Sequence, residues 1–431
     1  MDSQQFEVIR PKCAGLDVHK KSIVAAICTS DPVTLTATYQ TKVFNTTNSD
    51  IAALRDWLLA QDCHDVCMES TGKYWIPIFN ILEPHMYVVL THPKYVKAIK
   101  GKKTDKRDAK WIANLFRFDI VKASFIPPAD IRALRELSRY RLKLSYMRTA
   151  EKNRYQNSMT ISRIRIDCVL TDPFGLSATR IMDYLLSDEP FDEAKCRSLI
   201  DRRVKASKDE VMDSIHGYNI LEEQKFKMLH AKSHMDFINN SIGEIECELF
   251  RRSRNYDTQI KRIATIVGIT ELSSLFILSE IGADMSVFES DRHLCSWAGL
   301  IPANNESANK KKSSRCSRAG QYLKPLLLQC ALAAVKSKKE PYFAIKYQRL
   351  AKRRGKKKAI IAIARMMLTS IYHMLSNNED FHPDDYEATI HPPKQKPVVL
   401  NLTNTFQFLR EQGADESMLN QLEQQLSAVD K

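Results

Sequence analysis

The first 125 residues alternate between short apolar segments typical of strands and longer segments with the spacing of an amphipathic helix. Two apolar strands, AGLDV and SIVAAIC, flank a polar turn at His19 to Lys21, and a third strand, TATYQTKVFN, follows. A helix from Asn48 to about Gln61 comes next, then a strand HDVCMES, a helix YWIPIFNILE, a strand YVVLTHP and one more helix. Three strands followed by alternating helices and strands predict a mixed sheet with helices packed on it.

Two long stretches further along the chain have the pattern of extended amphipathic helices. The first runs from Ile131 to about Arg165, with an imperfect apolar seam at Leu134, Leu137, Leu144 and Met147. The second runs from Ile220 to Arg252 and carries apolar side chains at Phe226, Met228, Leu229, Phe237, Ile242, Ile245 and Leu249. Such helices pack either with each other as an antiparallel pair or with another chain as an oligomerisation arm, and the sequence leaves both open.

The rest of the pattern divides the chain into four segments. Apolar stretches between Ile263 and about Leu375 predict a compact helical domain, whereas the chain beyond Asn377 is proline-bearing and locally acidic. We expect this last part to be a poorly ordered extension with one short terminal helix. The predicted segments are an α/β domain at 11–127, a long helical or coiled-coil region at 128–255, a helical domain at 256–376 and a polar tail at 377–431.

Composition narrows the class of protein. With 431 residues, 44% of them hydrophobic, the chain can bury a sizeable core, and the absence of a long uncharged apolar run argues against a membrane span. The N-terminal MDSQQFEVIR lacks the features of a secretion signal, so we expect a cytoplasmic protein. Cys63 and Cys67 beside His64 have no second half at zinc-ligand spacing, which favours free buried thiols over a zinc site.

Positive charge is concentrated in three clusters. The chain carries 65 Lys and Arg against 51 Asp and Glu, a formal charge of +14, and the excess lies at 91–110, 310–324 and 346–358. The last two clusters contain no acid, and dense basic runs of this kind suit a polyanion because each neutralised phosphate releases counterions. We therefore predict nucleic-acid contacts from Lys102, Lys103, Lys106, Arg107, Lys310, Lys311, Lys312, Arg315, Arg318, Arg353, Arg354, Lys356 and Lys357.

Four carboxylates from separate segments form a candidate metal site. Asp105 and Asp108, three residues apart on a helix, share one face, while Asp17 lies in the first strand and Glu69 ends the strand HDVCMES. Acids at the rim of a sheet are exposed to ligands, so we expect the four to meet. Clustered carboxylates repel one another unless divalent cations lie between them, and oxygen ligands suit Mg²⁺ or Mn²⁺. Two such ions would serve phosphoryl transfer.

Two further motifs bear on the chemistry. GKKT at 101–104 lacks the earlier glycine of a nucleotide-binding loop, since Val96 occupies its place, so we expect no nucleotide cofactor. The segment LCSWAGLIPANNESANKKKSSRCSRAG carries Ser307 in a polar loop that leads into a basic run. These surroundings favour a functional role for Ser307 only modestly over that of an ordinary hydrogen-bonding loop residue. A serine hydroxyl needs a metal or a base nearby to react, and no histidine in the sequence suggests itself as that base.

Five motifs in order resemble the IS110 family of insertion-sequence transposases, whose relatives include the Piv-type DNA invertases. They are AGLDVHKK, ESTGKYW, KTDKRDA, LRELSRYR with its following EKNR, and WAGLIPANNESANK through SRAGQYLKPLL. The resemblance extends from about Lys12 to Leu375. Two departures stand out: Asn309 replaces a glycine of the family pattern after the serine, and Thr270 occupies a position where a helix-hairpin-helix often has glycine.

The resemblance implies a fold, a reaction and partners. By it the first domain would be RuvC-like, an RNase H-type fold, with Asp17, Glu69, Asp105 and Asp108 as a Mg²⁺-binding tetrad, and the helical domain would supply Ser307 as nucleophile. It also implies donor and target DNA, a structured bridge RNA that pairs with both, a tetramer built as a dimer of dimers, and a prokaryotic, nucleoid-associated location. A phosphoserine bond conserves the energy of the broken phosphodiester, which is compatible with the lack of an ATP site.

Two alternatives remain open on the sequence. A RuvC-like fold with four carboxylates could be a metal-dependent nuclease or junction resolvase, with Ser307 only a DNA contact. A protein of another class, which binds nucleic acid without catalysis and uses its acids structurally, would carry no metal at Asp17 and Asp105.

Overall fold

The computed structural model describes residues 7–31, 33–70, 72–96, 104–302, 305–307, 310–313, 316–317, 319–391 and 402–429. The chain forms two compact units. The first unit comprises Met1–Ile260 together with Ser274–Glu289, and the second comprises Lys261–Ser273 together with Ser290–Lys431.

A five-stranded mixed sheet lies in the first unit. Its strands are β1 (Lys12–Val18), β2 (Ser22–Ser30), β3 (Ala37–Asn45), β4 (Asp65–Glu69) and β5 (Tyr87–Thr91). The order across the sheet is β3-β2-β1-β4-β5; β1, β2 and β3 pair antiparallel, whereas β4 runs parallel to β1 and to β5. Six of the seven residues of β1 are buried, as expected for a central strand covered on both faces. The mixed sheet predicted from the sequence is confirmed.

Helices cover the two faces of this sheet. Helices α1 (Asn48–Ala60) and α2 (Trp75–Leu82) pack on the face to which Ala14, Leu16 and Val18 point. After the short α3 (Pro93–Val96), helix α4 (Asp105–Arg117) packs on the opposite face against Cys13, Cys28, Cys67 and Val89. Because side chains alternate along a strand, odd-numbered residues of β1 face α4. Thr47 caps α1, and Thr104 caps the aspartate-bearing α4.

The two long helices pair within the chain. They are α5 (Ala129–Ile161) and α10 (Glu222–Arg252). Ion pairs and hydrogen bonds join Arg141 to Glu246, Arg148 to Asn239, and Glu151 to His234, so residue numbers rise on one helix as they fall on the other. The helices are therefore antiparallel, one of the two arrangements that the sequence left open.

The chain between these two helices forms a small helical subdomain. Its helices are α6 (Ile166–Val169), α7 (Leu176–Leu185), α8 (Glu193–Ser198) and α9 (Lys208–Asp213). They share a core with the adjoining ends of α5 and α10, in which Ile181, Val211 and Met228 are almost fully buried. The sequence pattern did not separate this subdomain, because helices of four to ten residues give too few turns for an apolar period to emerge.

A buried ionic network fastens the segment Ser274–Glu289 to α5. Half of the segment lies in α12 (Glu271–Ile281), and a single-turn helix, Met285–Val287, lies near its end. Helix α12 follows α11 (Asp257–Ala264) and another single-turn helix, Arg254–Tyr256. Arg139 donates to both carboxylate oxygens of Glu280, at 2.7 and 2.8 Å, and Arg135 donates to the Ser279 and Glu280 carbonyls. Glu280 is 5% exposed, so Arg139 satisfies a carboxylate that water barely reaches, and Arg135 adds a second positive charge 3.9 Å from it.

The second unit is helical, as predicted, and its described residues include a hairpin. Its helices are α13 (Asp291–Trp297), α14 (Leu323–Ala334), α15 (Tyr342–Arg354) and α16 (Lys356–Asn377), and its strands are β6 (Asn305–Ser307) and β7 (Lys310–Ser313). Within the described part of the chain, α16 is the one helix that could cross a membrane by length and composition. It packs against α13, α14 and α15 and buries Ile363, Met367 and Ile371, which is typical of a core helix.

The C-terminal segment has more structure than the single terminal helix predicted from the sequence. It contains α17 (Tyr386–Ile390), α18 (Leu402–Glu411) and α19 (Glu416–Val429). Its first part packs back on α15: Tyr342 and Lys346 both donate to Asp385, and the Tyr342 ring stacks on that of Tyr386. The acidic composition that suggested disorder instead supplies partners for a basic helix.

We expect Glu280→Gln to destabilise the first unit by about 3 kcal/mol, because it leaves Arg135 and Arg139 without their buried counter-charge. At roughly 2 °C per kcal/mol for a unit of this size, the loss lowers the melting temperature by about 6 °C. Glu246→Gln is the matched control, since its ion pair with Arg141 is more accessible, with side chains 22% and 29% exposed, and should lose less than about 1 kcal/mol. Equal shifts for the two variants would contradict this ranking.

Candidate functional site

Two acidic side chains lie side by side where adjacent parallel strands end. Leu16 of β1 pairs with Met68 of β4, so Asp17 and Glu69 follow at equivalent positions of the two strands. Gly15 and Cys67 contact α4, and Asp17 and Glu69 each follow two residues later. Because alternate residues of a strand share a face, both acids lie on the face of the sheet that α4 covers. Asp17 is only 6% exposed, whereas Glu69 is half-buried.

The position of α4 depends on Gly15. A Cβ at this residue would lie 2.2 Å from the Ala109 carbonyl oxygen and 2.5 Å from the Ala113 amide nitrogen, so the helix backbone rests directly on the strand. Any side chain at position 15 would push α4 outwards. Because α4 begins at Asp105, this contact holds its first turn, with Asp105 and Asp108, over the end of β1.

His19 joins the acidic cluster from the turn between β1 and β2. Its Nε2 lies 3.2 Å from Asp17 Oδ2 and 3.6 Å from Asp105 Oδ1. One ligand atom from each of the three residues falls within 4.8 Å of the others, a grouping that could hold a metal ion. No histidine was predicted from the sequence to take part in the chemistry. The Asp-x-His spacing beside a strand end was the available signal, because residues two apart in an extended chain project to the same side.

The other three predicted acids act electrostatically on Asp17. Burial raises its pKa; the Asp105, Asp108 and Glu69 carboxylates raise it further, and His19 opposes them. The ionised form of Asp17 is therefore disfavoured in the folded protein unless positive charge is supplied. The structure thus brings Asp17 and Asp105 together with His19, while Glu69 and Asp108 lie near enough to raise the Asp17 pKa; carboxylate oxygens of this kind fit a divalent cation.

Basic residues accompany these acids. Lys106 and Arg107, in the first turn of α4, are exposed beside Asp105 and Asp108. Lys102 and Lys103, also predicted to contact nucleic acid, lie outside the described residues. The first turn of one helix therefore carries two acids and two cations, so a phosphate group bound there would meet both.

Ser307 is the last residue of β6 and pairs with Lys310, the first residue of β7. The sequence predicted a polar loop here; the described residues instead form a short antiparallel hairpin with an irregularity between Asn305 and Glu306. The predicted nucleic-acid contacts Lys310, Lys311 and Lys312 lie on β7, whereas Arg315 and Arg318 lie outside the described residues.

The junction of α15 and α16 is the third basic cluster. Residues 352–358 are all exposed, and they include the predicted contacts Arg353, Arg354, Lys356 and Lys357. Gly355, with φ of 83°, separates the two helices. Lysines in the first turn of α16 face the positive end of the helix dipole, an unfavourable placement that a bound polyanion would offset.

Comparison with known proteins connects these features. Residues 14–162 match a model of DEDD transposases, and residues 260–348 match one described as the transposase family IS116/IS110/IS902. The first match includes the whole acidic cluster, and the second includes Ser307 and the hairpin.

Individual relatives have related names. A probable family 20 transposase of Pseudomonas aeruginosa is 24% identical over 332 residues, which is 74% of this chain and 86% of the relative. The transposase for insertion sequence element IS1111A of Coxiella burnetii is 24% identical over 328 residues, 73% of this chain and 79% of the relative. A pilin gene-inverting protein of Moraxella lacunata is 28% identical over 180 residues, 38% of this chain and 55% of the relative.

We expect Gly15→Ala to lower the stability of the first unit by about 2 kcal/mol or more, and to weaken divalent-cation binding, because α4 must move away from β1. Thermal melts with and without Mn²⁺ measure both effects. Gly243→Ala is the control: a Cβ there meets nothing within 4 Å, so this change within α10 should stabilise by up to about 1 kcal/mol. Unaltered cation-dependent stabilisation in Gly15→Ala would contradict the role of the contact.

We expect Asp17→Asn to stabilise the protein by about 1 kcal/mol in chelator near neutral pH and to abolish stabilisation by added Mn²⁺. The pKa of Asp17 is raised on folding, so its contribution to stability is full below the unfolded pKa of about 3.9 and is lost as pH rises through the folded pKa. The asparagine side chain does not ionise, so the variant does not lose stability as pH rises, but it also lacks the carboxylate that would bind the cation. Melts of wild type and variant from pH 4 to 8, with chelator or Mn²⁺, test this; parallel curves in chelator would contradict it.

Proposed function

The chain belongs to the IS116/IS110/IS902 family of transposases, and from this we propose that it cuts and rejoins DNA through a transient covalent bond between Ser307 and a DNA phosphate. Family membership agrees with the resemblance drawn from the motifs, and it makes the protein a DNA-recombining enzyme with DNA as its substrate. The observation that carries the proposal is the acidic cluster, in which buried Asp17 lies with His19 and Asp105 in a grouping that could hold a metal ion.

The α/β layer of the first unit is RuvC-like in this proposal. Support comes from the strand order β3-β2-β1-β4-β5, with three antiparallel strands followed by parallel ones, and from the acids on β1, β4 and α4. Asp17, Glu69, Asp105 and Asp108 would hold Mg²⁺ or Mn²⁺. A bound divalent cation there would lower the pKa of a coordinated hydroxyl and stabilise negative charge on phosphate oxygens.

The covalent step is a transesterification. The Ser307 Oγ forms a bond to the scissile phosphorus, the bond from phosphorus to one deoxyribose oxygen breaks, and that oxygen leaves with a proton. In the reverse sense, a hydroxyl of a second DNA end attacks the phosphoserine, the Oγ–phosphorus bond breaks, and Ser307 regains its proton. The number of phosphodiester bonds is conserved, so no nucleotide hydrolysis is needed.

The basic clusters position the DNA. Exposed Lys106 and Arg107 lie beside the acids of α4, Lys310 to Lys312 lie on β7, which pairs with Ser307, and the α15–α16 junction adds six cations within residues 352–358. Contacts of this kind bind the phosphate backbone without reading sequence. Sequence choice would then come from a structured bridge RNA that pairs with donor and target DNA, as the family resemblance implies.

Assembly and location complete the proposal. We infer a tetramer, a dimer of dimers, as the family resemblance implies. A cytoplasmic, nucleoid-associated location follows from a DNA substrate in a prokaryotic cell. The name of the Moraxella relative, a gene-inverting protein, favours strand exchange over simple hydrolysis, because inversion requires that cut ends be rejoined.

We expect a protein–DNA adduct that resists denaturation when the full chain is incubated with Mg²⁺, labelled donor DNA and RNA transcribed from the DNA that flanks the gene. The adduct should be absent in Ser307→Ala, which lacks the nucleophile, and reduced at least about 100-fold in Asp105→Asn. A denaturing gel measures it. Ser313→Ala is the matched control, since Ser313 lies on the paired strand of the same hairpin, and it should retain the adduct.

Two other results would each replace the proposal. DNA cleavage without an adduct, undiminished in Ser307→Ala, would make the protein a metal-dependent nuclease or junction resolvase. DNA binding with neither cleavage nor adduct, and with no effect of Mg²⁺ on wild type or on Asp17→Asn, would make it a non-catalytic nucleic-acid-binding protein.

A further inference from the structure

His19 lies among the carboxylates in a position that the family tetrad does not account for. We propose that its imidazole is a nitrogen ligand of the divalent cation held by Asp17 and Asp105, and that it biases this site towards Mn²⁺ over Mg²⁺. The inference rests on the proposed metal site and adds to it a ligand of a different chemical class.

The distances fit a shared coordination sphere. Neighbouring ligand atoms that each lie about 2.1 Å from an octahedral ion are roughly 3 Å apart, and opposite ones roughly 4.2 Å. His19 Nε2 is 3.2 Å from Asp17 Oδ2 and 3.6 Å from Asp105 Oδ1, and the three ligand atoms fall within 4.8 Å of one another. The two His19 distances fit neighbouring ligands, and the 4.8 Å limit for the group lies within about 0.6 Å of the separation of opposite ligands, so a small movement would bring all three atoms to one ion.

The backbone fixes the position of this histidine. The His19 amide donates to the Ser22 carbonyl at 2.9 Å, which closes the β1–β2 turn, and Thr46 Oγ1 donates to the Lys20 carbonyl at 2.9 Å. The turn is thus held from both sides, and the imidazole needs little ordering to meet an ion. Its side chain is 44% exposed, so water can complete the coordination sphere from the open side.

Ligand chemistry gives the expected preference. Mg²⁺ takes oxygen ligands almost without exception and retains its waters, whereas transition-metal ions accept imidazole nitrogen readily. An all-carboxylate site discriminates weakly between Mg²⁺ and Mn²⁺; a site with one imidazole gains affinity chiefly for Mn²⁺. Removal of His19 should consequently cost Mn²⁺ affinity and leave Mg²⁺ affinity nearly unchanged.

The chain contains a matched control for this histidine. His64 Nε2 lies 3.2 Å from Asp62 Oδ1, with the same Asp-x-His spacing and the same distance as the pair at the site. Among the described residues, the grouping with metal-binding geometry is the one formed by Asp17, His19 and Asp105, and Asp62 and His64 are outside it. His64→Gln therefore removes an equivalent exposed pair without touching the site.

The experiment uses the full chain loaded with Mn²⁺, and compares wild type with His19→Gln, His19→Asn, His64→Gln and Asp17→Asn. Pulsed electron paramagnetic resonance reports a ¹⁴N nucleus bonded to Mn²⁺, and titration gives the dissociation constants for Mn²⁺ and, by competition, for Mg²⁺. We expect the nitrogen signal in wild type and His64→Gln and its loss in both His19 variants. We also expect the Mn²⁺ dissociation constant to rise at least about 10-fold in those variants and that of Mg²⁺ less than about 3-fold.

The outcomes separate the two levels of the inference. A nitrogen signal that persists without His19, or equal losses of Mn²⁺ and Mg²⁺ affinity, would overturn the ligand role while leaving the metal site intact. Mn²⁺ binding that is unchanged in Asp17→Asn would instead overturn the metal site itself and, with it, the proposed function. Thermal melts in chelator identify any variant that fails to fold, and two substitutions at position 19 guard against an effect of one side chain.

Discussion

The contact of α4 with β1 at Gly15 is the constraint on which the site depends. A strand and a helix backbone can approach this closely only where a side chain is missing, and here a Cβ would overlap both Ala109 and Ala113. The contact sets the height of α4 over the sheet. It thereby decides whether carboxylates in the first turn of the helix reach those at the strand ends or remain several ångströms away. A residue without functional groups thus determines the geometry of the residues that have them.

Charge is distributed in a way that follows from this geometry. The chain carries a formal excess of 14 positive charges, yet four acids gather at one end of the sheet, with Lys106 and Arg107 immediately beside them. A polyanion drawn to the basic clusters would be repelled by bare carboxylates at the point of chemistry. A divalent cation reverses the local sign, and the same acids then attract phosphate. Substrate binding and cation binding are therefore expected to favour each other.

The sequence predicted the helices, strands and acidic residues of the site better than the contacts between residues that are distant in the sequence. Strand ends and the Asp105–Asp108 spacing follow from local periodicity, so the acids could be found and expected to meet. Gly15 could not be assigned in the same way, because its importance comes from contacts with residues far along the chain. For His19 the Asp-x-His spacing indicated only the contact with Asp17, and the contact with Asp105 needed the structure. The helical subdomain at 166–215 and the hairpin that bears Ser307 were missed because each is built from segments of only a few residues. The antiparallel pairing of α5 and α10 needed the cross-helix pairs, such as Arg141 with Glu246, that only the structure supplies.

Asp17 links the fold of the first unit to its proposed chemistry. Its carboxylate is buried by the same packing that seats α4, and burial together with three neighbouring acids raises its pKa. Without a cation the folded state bears the cost of that ionisation, so part of the stability of the unit is given up to create the site. A ligand that binds only the folded state returns this free energy in proportion to its affinity. The acidic cluster is therefore better understood as an incomplete coordination sphere than as a structural feature of the sheet, because a purely structural role would favour amides or apolar residues at the same positions.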